Sequence, residues 1–66
     1  MKMWIARDIN NQLFAYTLKP TTHHKGYWEM PDDCRVYSID NTFFTEVTFE
    51  NSPQEVELKL ASNENN

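Results

Sequence analysis

Alternation of apolar and polar residues near the end of the chain is the feature that most narrows the possible folds. Every second residue of Glu55–Leu60 (EVELKL) is apolar, and Glu46–Glu50 (EVTFE) alternates in the same way. Successive side chains of a strand point to opposite faces of a sheet, so each segment is predicted to be a strand with one buried and one solvated face. Asn51–Gln54 is predicted to be the hairpin loop between these two strands.

Short apolar runs separated by turn-forming residues fill the rest of the chain. The runs predicted to be strands are Lys2–Arg7, Gln12–Lys19, Tyr27–Met30 and Cys34–Ile39. No apolar repeat of helical period persists for three turns. We therefore expect an all-β fold: a small antiparallel sheet of about five strands, arranged as a meander or an SH3-like open barrel, with α+β as the alternative. Residues 1–60 would form one domain and residues 61–66 a disordered polar tail.

Asparagine and aspartate mark the turn of the first predicted hairpin. Asp8-Ile-Asn-Asn11 has the length of a type I turn closed by a residue with positive φ, which asparagine adopts more readily than most residues. We expect Asn11 to be that residue, and the Asp8 side chain to accept backbone N–H groups of the turn. Further along, Thr21–Gly26 is predicted to be a polar loop with Gly26 as its flexible point.

The small size of the chain limits how it can be stabilised. A domain of 66 residues buries only about 60% of the surface that its unfolded form exposes. Small domains usually add a disulfide, a metal, an oligomer interface or unusually good packing. The one cysteine excludes an internal disulfide, and no zinc-site spacing of Cys and His is present. Two means of stabilising the domain remain: packing of the many aromatic residues, and oligomerisation.

The first hairpin has apolar residues on both of its faces. Trp4 and Ala6 share one face of its first strand, whereas Met3 and Ile5 share the other. Either the sheet curls into a small barrel or another molecule covers one face, so we expect a homodimer or a hetero-complex formed through residues 2–18. The residues predicted to form this interface are Trp4, Ala6, Phe14, Tyr16 and Trp28.

The side chains that could act in catalysis or bind a metal are few, and their spacing does not suit either role. Neighbouring residues of an extended chain point to opposite sides, so His23 and His24 are not expected to chelate one ion. The thiol of Cys34 follows Asp32 and Asp33, whose negative charge would raise its pKa and weaken it as a nucleophile. No phosphate-binding glycine loop, nucleophile elbow or HExxH motif is present. We therefore expect no catalytic residue, no cofactor and no metal, and we do not expect an enzyme.

The charge balance argues against nucleic-acid binding. Six basic residues and ten acidic residues give a net charge of −4, and the basic residues are scattered along the chain. The glutamates are concentrated in the last third, which leaves open an acidic surface that mimics nucleic acid and inhibits a DNA-binding protein. No apolar run is long enough for an export signal or a membrane span, so a cytoplasmic location without membrane contact is expected.

Both ends of the chain resemble a group of short uncharacterised proteins of gut anaerobic bacteria and their prophages. The resemblance lies in the start, MKMWIARDINNQLFAYTLKP, and the end, FFTEVTFENSPQEVELKL, which together make up about half of the chain. Asn10 and Asn11 stand where Asp-Gly is common in the group, and Thr45 stands where Pro is frequent. The resemblance implies an accessory protein of a bacterium or its mobile element and carries over no activity. The function expected is a non-enzymatic protein-interaction or assembly module, with a protein partner or a second copy.

Overall fold

The structure, a computed structural model, describes residues 1–22 and 25–58, and in these residues it contains six strands and no helix. The strands are β1 (Lys2–Arg7), β2 (Leu13–Tyr16), β3 (Thr21–Thr22), β4 (Trp28–Glu29), β5 (Val36–Ile39) and β6 (Gln54–Glu57). Four of them form an antiparallel sheet in the order β5-β2-β1-β6, and β3 pairs with β4 in a separate two-stranded sheet. The all-β prediction is confirmed. The strand order is not a simple meander, because the last strand returns to lie beside the first.

The hairpin β1–β2 closes through the turn that the sequence predicts. Asn11 has a φ of 77°, and its N–H donates to the carbonyl of Asp8 at 2.9 Å. The N–H of Asp8 donates to the carbonyl of Gln12 at 2.8 Å, which fixes the register that follows. The role expected for the Asp8 side chain was wrong, because its carboxylate accepts the backbone N–H of Trp28 at 3.1 Å and so ties the turn to β4.

The strand predicted at Glu46–Glu50 is not formed. These residues lie in a series of turns, in which the N–H of Val47 donates to the carbonyl of Phe44 at 2.9 Å. Val47 is buried beneath the sheet, which satisfies the apolar half of the pattern without a strand. The predicted hairpin is therefore absent from this described segment, and β6 begins at Gln54 and pairs with β1.

Other predicted boundaries shift by a few residues. The second strand ends at Tyr16 rather than Lys19, and the segment predicted as a polar loop contains the short strand β3. Gly26 is buried, has a φ of 87° and accepts the N–H of Ile9 through its carbonyl at 2.9 Å. The predictions for His23, His24 and the polar tail at 61–66 lie outside the described residues.

Both faces of the hairpin β1–β2 are covered by the chain itself. On one face, Ile5, Leu13 and Val47 form a buried cluster, against which Ile39 and Val56 pack. On the other face, Ala6 is fully buried and Tyr16 is only 3% exposed. We call the first of these the Ile5 face and the second the Ala6 face. The chain therefore buries side chains on both sides of the hairpin, with an apolar cluster on the Ile5 face.

Candidate protein-binding surface

The buried Arg7 side chain organises the loop that follows β5. A guanidinium has five N–H donors, and each of them meets a backbone carbonyl here. Nε donates at 2.6 Å to Val47, and Nη1 and Nη2 donate at 3.0–3.1 Å to the carbonyls of Asn11, Asn41, Phe43 and Phe44. Because a buried cation is costly unless its donors are paired, this set of contacts fixes the path of residues 41–47.

Phe44 is held in a conformation that aromatic residues rarely adopt. Its φ is 52°, in the left-handed region, while its carbonyl accepts a hydrogen bond from Arg7 at 3.1 Å. At the start of the same loop, the Asp40 carboxylate accepts the N–H and the hydroxyl of Thr42 at 2.9 and 2.6 Å. These hydrogen bonds lower the pKa of Asp40. The loop is therefore fixed at both ends, and the strain at Phe44 is maintained by its surroundings.

An apolar groove of about 380 Å³ lies on the Ile5 face beside this loop. Its floor is formed by β1 and β2, and its walls by β5, β6 and the loop. The apolar residues that line it are Met3, Ile5, Ala15, Ile39, Phe44, Val56 and Leu58. Phe44 and Leu58 stand at the rim and are 44% and 52% exposed. The groove therefore presents apolar surface to solvent rather than to the rest of the described chain.

An ion pair lies on β6, the strand that forms one wall of the groove. The carboxylate of Glu57 accepts a hydrogen bond from the N-terminal ammonium of Met1 at 2.9 Å. Both groups are exposed, so the pair contributes little to stability. Glu46, Glu50 and Glu55 are also exposed. The groove thus lies on a chain whose surface charge is predominantly acidic.

The residues that the sequence predicted as an interface lie mainly on the Ala6 face. Trp4 pairs with Tyr16 across the hairpin, and Ala6 pairs with Phe14. Ala6 and Tyr16 are buried, so a partner could reach this set only through the half-buried Trp4, Phe14 and Trp28.

These half-buried aromatic residues already have contacts within the chain. The Lys19 ammonium lies 5.3 Å from the ring of Trp4, and the rings of Phe14 and Tyr16 meet edge to face at 6.5 Å. The indole N–H of Trp28 donates to the carbonyl of Arg7 at 3.0 Å. Their role as an interface stays a prediction.

Tyr16 and Asp8 are the buried titratable groups of the Ala6 face. Burial raises the pKa of Tyr16 to about 12, and the negative charges of Asp8 and Cys34 add to the effect. Burial also raises the pKa of Asp8, although the hydrogen bond from Trp28 opposes this. Cys34 is half-buried, with its sulfur 3.7 Å from the hydroxyl of Thr17. Residues 1–22 and 25–58 contain no cluster of three metal-ligating side chains.

Sequence reasoning missed the two residues that shape the groove. In the sequence, Arg7 is one of six scattered basic residues, and no pattern marks Phe44. One usable signal was the alternation that places Val56 and Leu58 on the same face of β6. No comparable signal marks Arg7, because its carbonyl partners lie up to 40 residues away.

Comparison of the chain with models of protein families, with curated proteins and with solved structures finds no match. No helix of the described residues is long and apolar enough to cross a membrane. The surface is therefore characterised by its chemistry: an apolar groove, with one wall fixed by a buried cation, on a chain of net negative charge.

Proposed function

We propose that this protein is a non-enzymatic protein-binding module, whose apolar groove accepts an apolar segment of a partner protein that also carries basic residues. The observation that carries the proposal is the exposure of apolar side chains around the groove. Phe44 and Leu58 form its rim, and Met3 and Ile5 lie at its floor. Aromatic and aliphatic side chains in a shaped depression are typical of the anchoring sites of protein interfaces.

The conformation of Phe44 supports a binding role. A non-glycine residue with positive φ costs about 1 kcal/mol or more, and such strain is concentrated at functional sites. Here the strained residue places an aromatic ring at the rim of the groove rather than in the core. The carbonyl of Phe44 serves the fold by accepting from Arg7 and Val47, whereas its exposed ring would be buried only by binding of an apolar segment.

The charge of the chain supports basic residues in the partner. The net charge is −4, and Glu55 and Glu57 are exposed on β6, the strand that forms one wall of the groove. An acidic surface raises the association rate of a basic partner and disfavours acidic ones. The setting proposed with this function is the cytoplasm of a bacterium, with the gene carried by the chromosome or a mobile element.

Selection from a displayed library of random peptides tests the proposal. The immobilised chain should enrich peptides that combine apolar and basic residues. Binding should fall about tenfold or more in Leu58→Glu, which places a charge at the rim. Met30→Glu is the matched control, because Met30 is similarly exposed and lies outside the groove. It should bind the peptides as the unmodified chain does.

Two outcomes would overturn the groove as the binding site. One is no enrichment above background. The other is enrichment of peptides whose binding is unaffected by Leu58→Glu. If those peptides were basic without apolar residues, and were released by moderate salt, the result would favour the alternative function of an acidic surface that mimics nucleic acid.

A further inference from the structure

The edges of the four-stranded sheet, β5 and β6, differ in what they expose. Just before β5, the carbonyl of Arg35 accepts the N–H of Thr17, the residue that follows β2, at 3.0 Å. Antiparallel pairing alternates along a strand, so residues 35, 37 and 39 direct their backbone groups towards β2. The N–H and C=O groups of Val36 and Ser38 therefore point outward, away from the sheet.

The same reasoning applies to β6, with a different result. Met1 and Leu58 exchange two backbone hydrogen bonds of 2.7 and 3.0 Å, so the alternation leaves Glu55 and Glu57 with their backbone groups directed outward. These two residues carry negative charge, and Pro53 precedes the strand. Charged residues and proline are the usual protection of an exposed sheet edge. Antiparallel pairing of β6 with another β6 would place glutamates opposite each other, which is destabilising.

The edge strand β5 has none of this protection. Its sequence, Val-Tyr-Ser-Ile, contains no charge, no proline and no glycine, and Val36 and Tyr37 are 36% and 51% exposed. We propose that β5 pairs with β5 of a second copy of this chain across a two-fold axis, which joins the two sheets into one of eight strands. This surface is distinct from the groove, so the proposal goes beyond the binding function given above.

The geometry of β5 fixes the register of such a pair. Residues opposite each other in an antiparallel ladder must lie on the same face, so the two-fold axis passes through one residue of the strand. An axis at Tyr37 places Val36 of each copy opposite Ser38 of the other copy. The outward backbone groups of these two pairs then exchange hydrogen bonds. The two Tyr37 rings then lie opposite each other on the Ile5 face, and cross-strand aromatic pairs are stabilising.

Two-fold symmetry also favours β5 over the alternatives. Pairing of β5 with β6 of a second copy would leave β6 of one copy and β5 of the other copy free. Further copies could add at these two edges, so the assembly would continue into a filament. Pairing of β5 with itself closes after two copies and leaves the protected β6 strands as the outer edges. Two four-residue strands form a small interface, and interfaces below about 1,200 Å² associate weakly. The dimer should therefore depend strongly on concentration.

Chemical synthesis with ligation at Cys34 allows the backbone itself to be changed. N-methylation of Ser38 removes an outward N–H and leaves every side chain and the net charge unaltered. N-methylation of Glu55 is the matched control, because it removes an outward N–H from the opposite edge. Sedimentation velocity would be recorded from about 1 μM to about 1 mM, together with circular dichroism to confirm folding.

The unmodified chain and the Glu55 analogue should reach twice the monomer mass at the highest concentrations, whereas the Ser38 analogue should remain monomeric. If the Ser38 analogue fails to fold, the Tyr37→Glu variant is used in its place. This substitution is at an exposed position and would place two negative charges opposite each other in the dimer. Tyr27→Glu, at a similarly exposed tyrosine, is its control. A monomer at every concentration, or a dimer that survives both changes at β5, would overturn the proposal. Failure of dimer formation would leave peptide binding at the groove unaffected, because that binding is measured separately.

Discussion

Nη2 of Arg7 donates a hydrogen bond to the carbonyl of Phe44 at 3.1 Å, and this contact connects the centre of the sheet to the wall of the groove. Arg7 belongs to β1 and is 6% exposed, whereas Phe44 is 44% exposed at the groove rim. The rest of the guanidinium binds the carbonyls on either side of Phe44 along the loop. The shape of the binding surface therefore depends on a buried cation that a partner would not contact.

Replacement of Arg7 by lysine should strongly destabilise the protein although the charge is kept. A lysine ammonium has three donors and no planar fork, so at least two of the five carbonyls would lose this partner. We expect the free energy of unfolding to fall by about 3 kcal/mol, measured by urea denaturation. Arg35→Lys, at an exposed position, is the control and should change stability by less than about 0.5 kcal/mol. Equal stability of the two variants would mean that Arg7 does not fix the loop.

Phe44→Gly and Phe44→Ala should separate the strain of this residue from the role of its ring. Both variants remove the ring from the groove, but only glycine adopts a φ of 52° without cost. Phe44→Gly should therefore be more stable than Phe44→Ala by about 1 kcal/mol, as measured by thermal or urea unfolding. Both should lose binding of the peptides selected on the unmodified chain. An alanine variant as stable as the glycine variant would contradict the left-handed conformation.

The turn at Asn11 allows a related test. Asn11→Val should cost about 1 kcal/mol or more, because a β-branched residue is strained at the observed φ of 77°. Asn11→Gly relieves backbone strain but loses the side-chain oxygen that lies 3.3 Å from Nη1 of Arg7, so it should be close to neutral. Melting temperatures of the two variants measure the difference. If they coincided, the left-handed residue would have to lie elsewhere in the turn.

Local sequence signals predicted the first hairpin well. Its first strand has the predicted bounds, and its turn residue has the predicted conformation. Both depend on residues close together in the chain: alternating apolar positions, and an asparagine where the backbone must adopt positive φ. The fold class followed from the same local signals repeated along the chain.

The segment around Val47 shows why the last third could not be predicted in the same way. Its alternation is typical of a strand, yet its backbone carbonyl is bound by Arg7, 40 residues earlier in the chain. A carbonyl that accepts from a buried guanidinium is not available to a neighbouring strand, so tertiary contacts override the local preference. The groove was missed for the same reason, since the position of Phe44 depends on this loop.

The buried carboxylate of Asp8 should make stability depend on pH. Burial raises its pKa above the unfolded value of 3.8, so its contribution to stability is fully present below that pH and is lost as the pH rises through the folded pKa. Asp8→Asn keeps an oxygen to accept the Trp28 N–H and carries no charge. The variant should therefore melt at a higher temperature than the unmodified chain at pH 7, with the difference vanishing below pH 3.8. A lower melting temperature at pH 7 would show that the charge is stabilising.

Gly26 and Ile9 form the contact that holds the loop before β4 against the first hairpin turn. Gly26 has a φ of 87°, and a Cβ atom there would lie 2.7 Å from Cγ2 of Ile9. Gly26→Ala should therefore cost about 2 kcal/mol, of which about 1 kcal/mol reflects the left-handed backbone and the remainder the collision. In an Ile9→Ala background the cost should fall towards about 1 kcal/mol, because Cγ2 is removed and only Cβ, 3.0 Å from the added atom, remains in close contact. Chemical denaturation of the four proteins of this double-mutant cycle measures the cost of the left-handed backbone and the cost of the collision. An unchanged cost in the Ile9→Ala background would exclude the collision with Cγ2 of Ile9 as its cause.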